Sequence, residues 1–367
     1  MEKADIAILG GGVVGNATAL EASVVFPNRR IIVYEKNSTV GLEASGRNSG
    51  VLHTGFHHPA GSLKEKLANQ GSKIVRKYVQ IRKVPILQCG MLVVVPTFSS
   101  IGSAFSNLGI LKSLCLNGKR QNVNFIVLGK KGVKKLEPNV EALAGLFLPD
   151  VAVIDFVAYV KALFYDAKSR GVEFFFDTKV EQVVPDGDEF VINDKFRAKA
   201  VVNCAGIYAD AIASLCGLKY QQYPVRGEYY QIIGPKKKIV SRLVNPAVPP
   251  GNSSKGIHFS PRTDGKMFLG PSYKILGDKE NYEGDKTPPE IFVKSVRSFV
   301  PDIGVDDLRW ASSGIRAKLS TDSDPDFIIR LDMTRPALVN NIGIGSPGLS
   351  ASMAIAEMNC RLLKESI

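Results

Sequence analysis

The sequence predicts an α/β chain: a Rossmann-like domain assembled from separated pieces, with a second, β-rich mixed-sheet domain inserted between them. Three observations predict it. An apolar run at residues 5–10 ends in glycines, helix-forming residues follow, and a β-branched run closes at Glu35, so the chain opens on a βαβ unit. A second apolar run ending in glycine, Ala200-Val201-Val202-Asn203-Cys204-Ala205-Gly206, reads as another buried parallel strand. From Tyr220 to Leu269 the text changes to long β segments broken by Pro, Gly and Asn.

Each element follows from its local pattern. Residues 14–25 are helical and stop at Pro27-Asn28, and residues 30–35 form the second strand. Leu63, Leu67, Ile74 and Tyr78 fall on one face of a helix over 62–80. Residues 88–96 read as strand and 101–116 as helix. Phe156, Tyr159, Leu163 and Ala167 mark a helix over 155–171, and 172–184 is strand-rich up to a turn at Asp186-Gly187. Asp264-Gly265 signals a hairpin, and 288–300 a helix. Strands at 327–329 and 338–342 and a helix over 349–363 close the chain.

Composition narrows the function classes. The 367 residues are 45% hydrophobic and 22% charged, an ordinary globular balance that suggests about two or three domains. No apolar run reaches the roughly eighteen residues of a membrane span, and the N-terminus enters a strand without a signal-peptide pattern, so a cytoplasmic protein is expected. Five scattered cysteines and four histidines offer neither a disulfide framework nor a zinc motif, and no metal is expected. The net charge of +12 suits an anionic substrate or an anionic membrane surface. No nucleic-acid-binding signature accompanies it.

Gly10-Gly11-Gly12-Val13-Val14-Gly15 satisfies GxGxxG at a strand-to-helix junction. Gly10 permits the tight turn, Gly12 lets backbone approach a pyrophosphate, and Gly15 allows close helix–strand packing. The helix N-terminus offers free N–H groups to phosphates. Glu35 lies twenty residues after Gly15, where a carboxylate accepts hydrogen bonds from a ribose. A second glycine-rich stretch, Ala44-Ser45-Gly46-Arg47-Asn48-Ser49-Gly50-Val51-Leu52-His53-Thr54-Gly55, is small and polar enough to lie close to a cofactor.

With Val202-Asn203-Cys204-Ala205-Gly206, these motifs resemble the D-amino-acid-oxidase/glycerol-phosphate-dehydrogenase superfamily of FAD enzymes across essentially the whole chain. Within it, the chain is similar to two branches, the short glycerol-3-phosphate oxidases and dehydrogenases and the L-2-hydroxyglutarate dehydrogenases. Both share patterns like Glu137-Pro138-Asn139, Arg226-Gly227-Glu228-Tyr229, Ser260-Pro261-Arg262-Thr263-Asp264-Gly265 and Gly345-Ser346-Pro347-Gly348-Leu349-Ser350.

The resemblance implies FAD as cofactor, contacted by Gly10, Gly12, Val14, Gly15, Glu35, Lys36, Ser45, Asn48, Ser49, Gly50, Val180, Ala205, Gly206, Gly348, Leu349 and Ser350. Val180 is expected in an adenine-side strand. His53 matches a flavin-side histidine and is the expected catalytic base, while His57 and His58 read as exposed loop histidines. Arg316 is expected to hold the substrate anion, with Ser346, Lys255 and His258 beside it.

Lys255 tilts the expected substrate towards glycerol 3-phosphate, and the short spacing before Gly314-Ile315-Arg316 agrees; His258 tilts it towards L-2-hydroxyglutarate. A glycine- or sarcosine-type amine oxidase is a further alternative. The expected electron acceptor is a quinone, oxygen or a partner protein, with peripheral membrane association at the inner face and a homodimer as open alternatives. The FAD domain is expected from 1–80, 140–217 and 313–367, and the substrate domain from 81–139 and 218–312.

Overall fold

A computed structural model describes residues 1–97 and 101–366, the side chains of residues 101–105 excepted. The first sheet is built on five parallel strands in the spatial order Ala337–Ile342, Phe196–Asn203, Glu2–Leu9, Ile31–Tyr34 and Glu173–Phe175. Its central strands are buried on both faces, which is why residues 6–9 and 31–34 read as continuous apolar runs. One face packs against the helices Val13–Val25, Leu63–Ile81, Phe156–Ser169 and Gly348–Lys364 in a shared core. Two of these helices begin at side-chain caps: Ser62 Oγ accepts from the Glu65 amide and Asp155 Oδ1 from the Ala158 amide.

The second sheet has nine strands among the described residues and is mixed. Leu243–Pro246 runs parallel to Met91–Pro96, and the sheet's other pairings are antiparallel. Its longest pairing joins Tyr223–Ile232 to Leu308–Lys318, in a register that sets Gly227 opposite Gly314 and Val225 opposite Arg316. A small third sheet, Val51–Leu52, Ala152–Ile154 and Ile86–Leu87, lies apart from both.

Several expectations need correction. Strands Ala142–Leu148 and Leu308–Lys318 belong to the second sheet, although the reading placed 140–217 wholly, and 313–318, on the FAD side. The strand-rich stretch 172–184 is two short strands, Glu173–Phe175 and Val183–Asp186, separated by a loop that Asp177 turns with φ +50°. Val180 therefore sits on a loop. The Asp186-Gly187 turn is present, with Gly187 at φ +61° and Asp186 paired with Glu189.

Candidate active site

The parallel strands all end at one edge of the first sheet, and the glycine loop leaves from there. A single cavity of roughly 480 Å³ runs from residues 178–180, past Gly10–Val14, to the face of the second sheet at Arg316–Lys318. Ligands of open α/β sheets bind at this carboxyl edge.

The glycine loop is built as its sequence requires. Gly10 has φ +112°, and a Cβ there would lie 2.5 Å from the Cys204 carbonyl oxygen. A Cβ on Gly15 would lie 1.8 Å from the Gly10 carbonyl oxygen, so Gly15 serves close packing and stands behind the cavity wall. The Gly11 amide donates to Glu35 Oε2 (2.7 Å), while Glu35 Oε1 accepts from the Asn37 amide and side chain. Glu35 thus ties the loop to the second strand as well as facing the cavity.

Ser45 Oγ accepts from the Val13 amide at 2.9 Å, at the start of the glycine-loop helix. Asn48 folds its own loop: its Nδ2 donates to the Ser45 carbonyl and its Oδ1 accepts from the Gly50 amide. Gly50 is likewise behind the wall, at φ +71° with a Cβ 2.5 Å from the Ile154 carbonyl. Lys36 pairs with Glu43 at 2.7 Å and lies over the Tyr208 ring. The wall includes Gly10, Gly12, Val14, Glu35, Lys36, Ser45, Asn48, Ser49, Val180, Ala205, Gly206, Gly348, Leu349 and Ser350. A Cβ on Gly206 would meet nothing within 4 Å, and the one on Gly12 only Ser45 Oγ. A helix N-terminus, an acidic strand end and glycines without side chains form a cradle that fits FAD.

At the other end, His53, His57, His58, Lys255, His258, Arg316 and Ser346 all line the same cavity. The His53 amide donates to Ser350 Oγ (2.9 Å), which in turn donates to the Val51 carbonyl (3.2 Å). Ser350 therefore anchors the His53 segment to the start of the last helix. Burial, reinforced by His258 and Lys255, pulls the His53 imidazole down to about 3, so it carries a free lone pair at neutral pH. His258 shares Nδ1 with the Gly256 carbonyl at 2.9 Å. Burial lowers it to about 4; a neutral ring that donates from Nδ1 turns a lone pair on Nε2 to other partners.

Gly227 gives room to the Arg316 guanidinium, and Gly314 to the backbone of Arg47. A Cβ on Gly227 would lie 2.5 Å from the guanidinium, and one on Gly314 would lie 2.2 Å from the Arg47 carbonyl. The neighbours of Gly227 do structural work instead: Arg226 and Glu228 are fully buried and paired at 3.3 Å, and Arg226 also holds Asn281. Glu137, of the Glu-Pro-Asn motif, accepts from Ser241 and Arg242 and is likewise a sheet tie.

The reading of His57 and His58 as exposed is overturned. They are 5% and 3% exposed, because the Gly55–His57 turn packs under the helix Ile101–Arg120, where Asn117 donates to the Phe56 and His58 carbonyls. Lys318 and Asp324 were missed. Lys318 was legible, since it stands two residues after Arg316 on one strand and must share its face. Asp324 lies in a loop with no signal to mark it.

The chain belongs to the FAD dependent oxidoreductase family (DAO), whose family model matches residues 5–362. It is thus an FAD-dependent oxidoreductase. Among individual relatives, the mitochondrial L-2-hydroxyglutarate dehydrogenase of Nematostella vectensis is 27% identical over 420 residues, covering 97% of this chain and 90% of that one. The L-2-hydroxyglutarate dehydrogenase of Escherichia coli K12 is 26% identical over 286 residues, 76% of this chain and 66% of that one. Among solved structures, the FAD-bound L-alpha-glycerophosphate oxidase of Mycoplasma pneumoniae superposes with a TM-score of 0.88 at 28% identity, over 99% of this chain and 95% of that one. The glycine oxidase of Geobacillus kaustophilus, at 20% identity and a TM-score of 0.82, shares the fold. No helix among the described residues is long and apolar enough to cross a membrane.

Proposed function

We propose that this enzyme oxidises the CH–OH group of a small anionic alcohol, and that L-2-hydroxyglutarate is its substrate. The carrying observation is one cavity end where a neutral histidine, His53, faces the same space as the cations Arg316 and Lys255. Arg316 offers a planar fork to a carboxylate, which orients the hydroxyl carbon. His53 takes the hydroxyl proton as the carbon-bound hydrogen leaves with its electron pair, and the product is a ketone. Bound FAD supplies the two-electron acceptor for that hydride. The quinone, oxygen or partner protein that takes the electrons onward is identified by which of them restores flavin colour after reduction.

The sequence alone favoured glycerol 3-phosphate, on Lys255. Relatives aligned along nearly the whole chain include L-2-hydroxyglutarate dehydrogenases of several animals, which supports the dicarboxylate better. Glycerol 3-phosphate stays as a second reading because Lys255 does line the cavity and the glycerophosphate oxidase shares the fold closely. Amine oxidation draws support from the fold alone.

Anaerobic addition of L-2-hydroxyglutarate to the purified yellow protein is expected to bleach the flavin absorbance within the mixing time. Glycerol 3-phosphate, glycine and sarcosine are expected to leave it coloured. Bleaching by glycerol 3-phosphate alone would reverse the choice between the two alcohols.

A further inference from the structure

The cavity holds more positive charge than one carboxylate requires. Beside Arg316 stand Lys318, Lys255 and, just behind the wall, Lys64. Asp324 Oδ1 accepts from Lys64 Nζ (2.7 Å) and Lys318 Nζ (2.6 Å), and His58 Nδ1 lies 3.6 Å from Asp324 Oδ2. Two ammonium groups thus share a single carboxylate, and a third stands nearby without one. Lys255 Nζ reaches only the carbonyls of His57 and Asn252, at 3.3 and 3.2 Å, and forms no ion pair among the described residues. Both ring nitrogens of His57 are buried in the same wall without a hydrogen-bond partner among the described residues. Buried polar groups left this way are normally completed by a ligand or water.

The strand fixes the spacing. Arg316 and Lys318 are alternate residues on one face, so their attachment points stand about 6.6 Å apart. A single phosphate or carboxylate on Arg316 leaves the Lys318–Lys255 end unmatched. A molecule with an anion at each end matches both.

We propose that Lys318 and Lys255, with His57 in the same wall and the Lys64–Asp324 pair behind, form a second anion subsite that holds the far carboxylate of a dicarboxylate. Arg316 holds the near one. This deepens the substrate reading given above and rests on it. Burial pulls Lys318 below its ordinary range and Lys255 to about 8, the response of cations short of counter-charge. An arriving carboxylate restores both.

The test is a titration of the FAD-loaded enzyme with glutarate and butyrate, read by the perturbation of flavin absorbance. Glutarate is expected to bind about 10- to 100-fold more tightly than butyrate, the range of a charge-assisted hydrogen bond gained. In Lys318→Met the ratio is expected to fall to within about threefold while butyrate affinity holds, and Lys318→Arg to recover part of it. Lys318 also ties Asp324, so Lys255→Met, which breaks no ion pair, is the second variant and is expected to lower the ratio too. Equal binding of the two acids by the unaltered enzyme overturns the subsite, as does a ratio unmoved in both variants or an equal loss for both ligands. Inorganic phosphate binding in preference to glutarate, through Lys318, overturns the dicarboxylate assignment. Selective glutarate binding without bleaching by L-2-hydroxyglutarate supports the subsite and sinks the substrate reading. Bleaching by L-2-hydroxyglutarate with unchanged kinetics in both variants does the reverse.

Discussion

His53→Asn is expected to slow substrate-driven flavin bleaching by about 10²- to 10⁴-fold, the usual contribution of a positioned general base, with FAD content unchanged. The side chain faces the cavity, and its backbone is held independently through Ser350, so asparagine preserves the segment while removing the basic nitrogen. A ring held at about 3 is a weak base in the free enzyme. Its depression comes from burial, from the His258 imidazole and from Lys255, and an anionic substrate counters the charge part directly. The acid limb of kcat is therefore expected at higher pH than that of kcat/KM, because the first reports the substrate complex and the second the free enzyme. Both are read from one pH series. If His53→Asn stays within about threefold of the unaltered rate, the base role passes to His258, whose ring is oriented through the Gly256 carbonyl.

The fold was legible wherever one residue type has one physical use. The glycine loop and the apolar parallel strands each follow from local rules, and the structure adds only their partners. Long-range features were less legible. Nothing near residue 142 or 313 says that those strands join the second sheet, because each is paired there with a strand about 45 to 95 residues away. The site divides in the same way. His53, Arg316 and Lys255 were found through motifs and do converge on one cavity. Asp324 escaped notice because its role depends on Lys64 and Lys318, which only the folded chain brings to it. Tandem histidines in a polar stretch suggest exposure, and tertiary packing by Phe56 and Asn117 overrides the suggestion.

That packing has a measurable consequence in acid. His57, His58 and His258 are all at most 5% exposed, and burial holds each imidazole below its ordinary value, His258 at about 4. In the unfolded chain they take up protons near pH 6.5. Below that pH the unfolded state binds more protons than the folded one, so stability falls as pH falls, until the folded pKa values are reached. Each histidine contributes a limiting slope of about 1.4 kcal/mol per pH unit, and the three together on the order of 4 kcal/mol per unit below about pH 5.5. That is a large share of the roughly 5–15 kcal/mol by which domains are stable. The urea midpoint of the FAD-loaded enzyme is expected to hold near pH 7 and drop steeply between pH 6 and 5. Carboxylates held below their usual range, such as Asp324 and Glu173, lose their contribution only below about pH 4.5, which separates the two effects. For Asp324, burial pushes the carboxyl up, but Lys64 and Lys318 outweigh it. His57 has no hydrogen-bonded partner to lose among the described residues, so His57→Phe is expected to flatten the drop by about a quarter, because His53 is lowered along with the other three. A midpoint that stays level from pH 7 to 5 would show that these rings titrate as in the unfolded chain, and their role in the acid response would have to be abandoned.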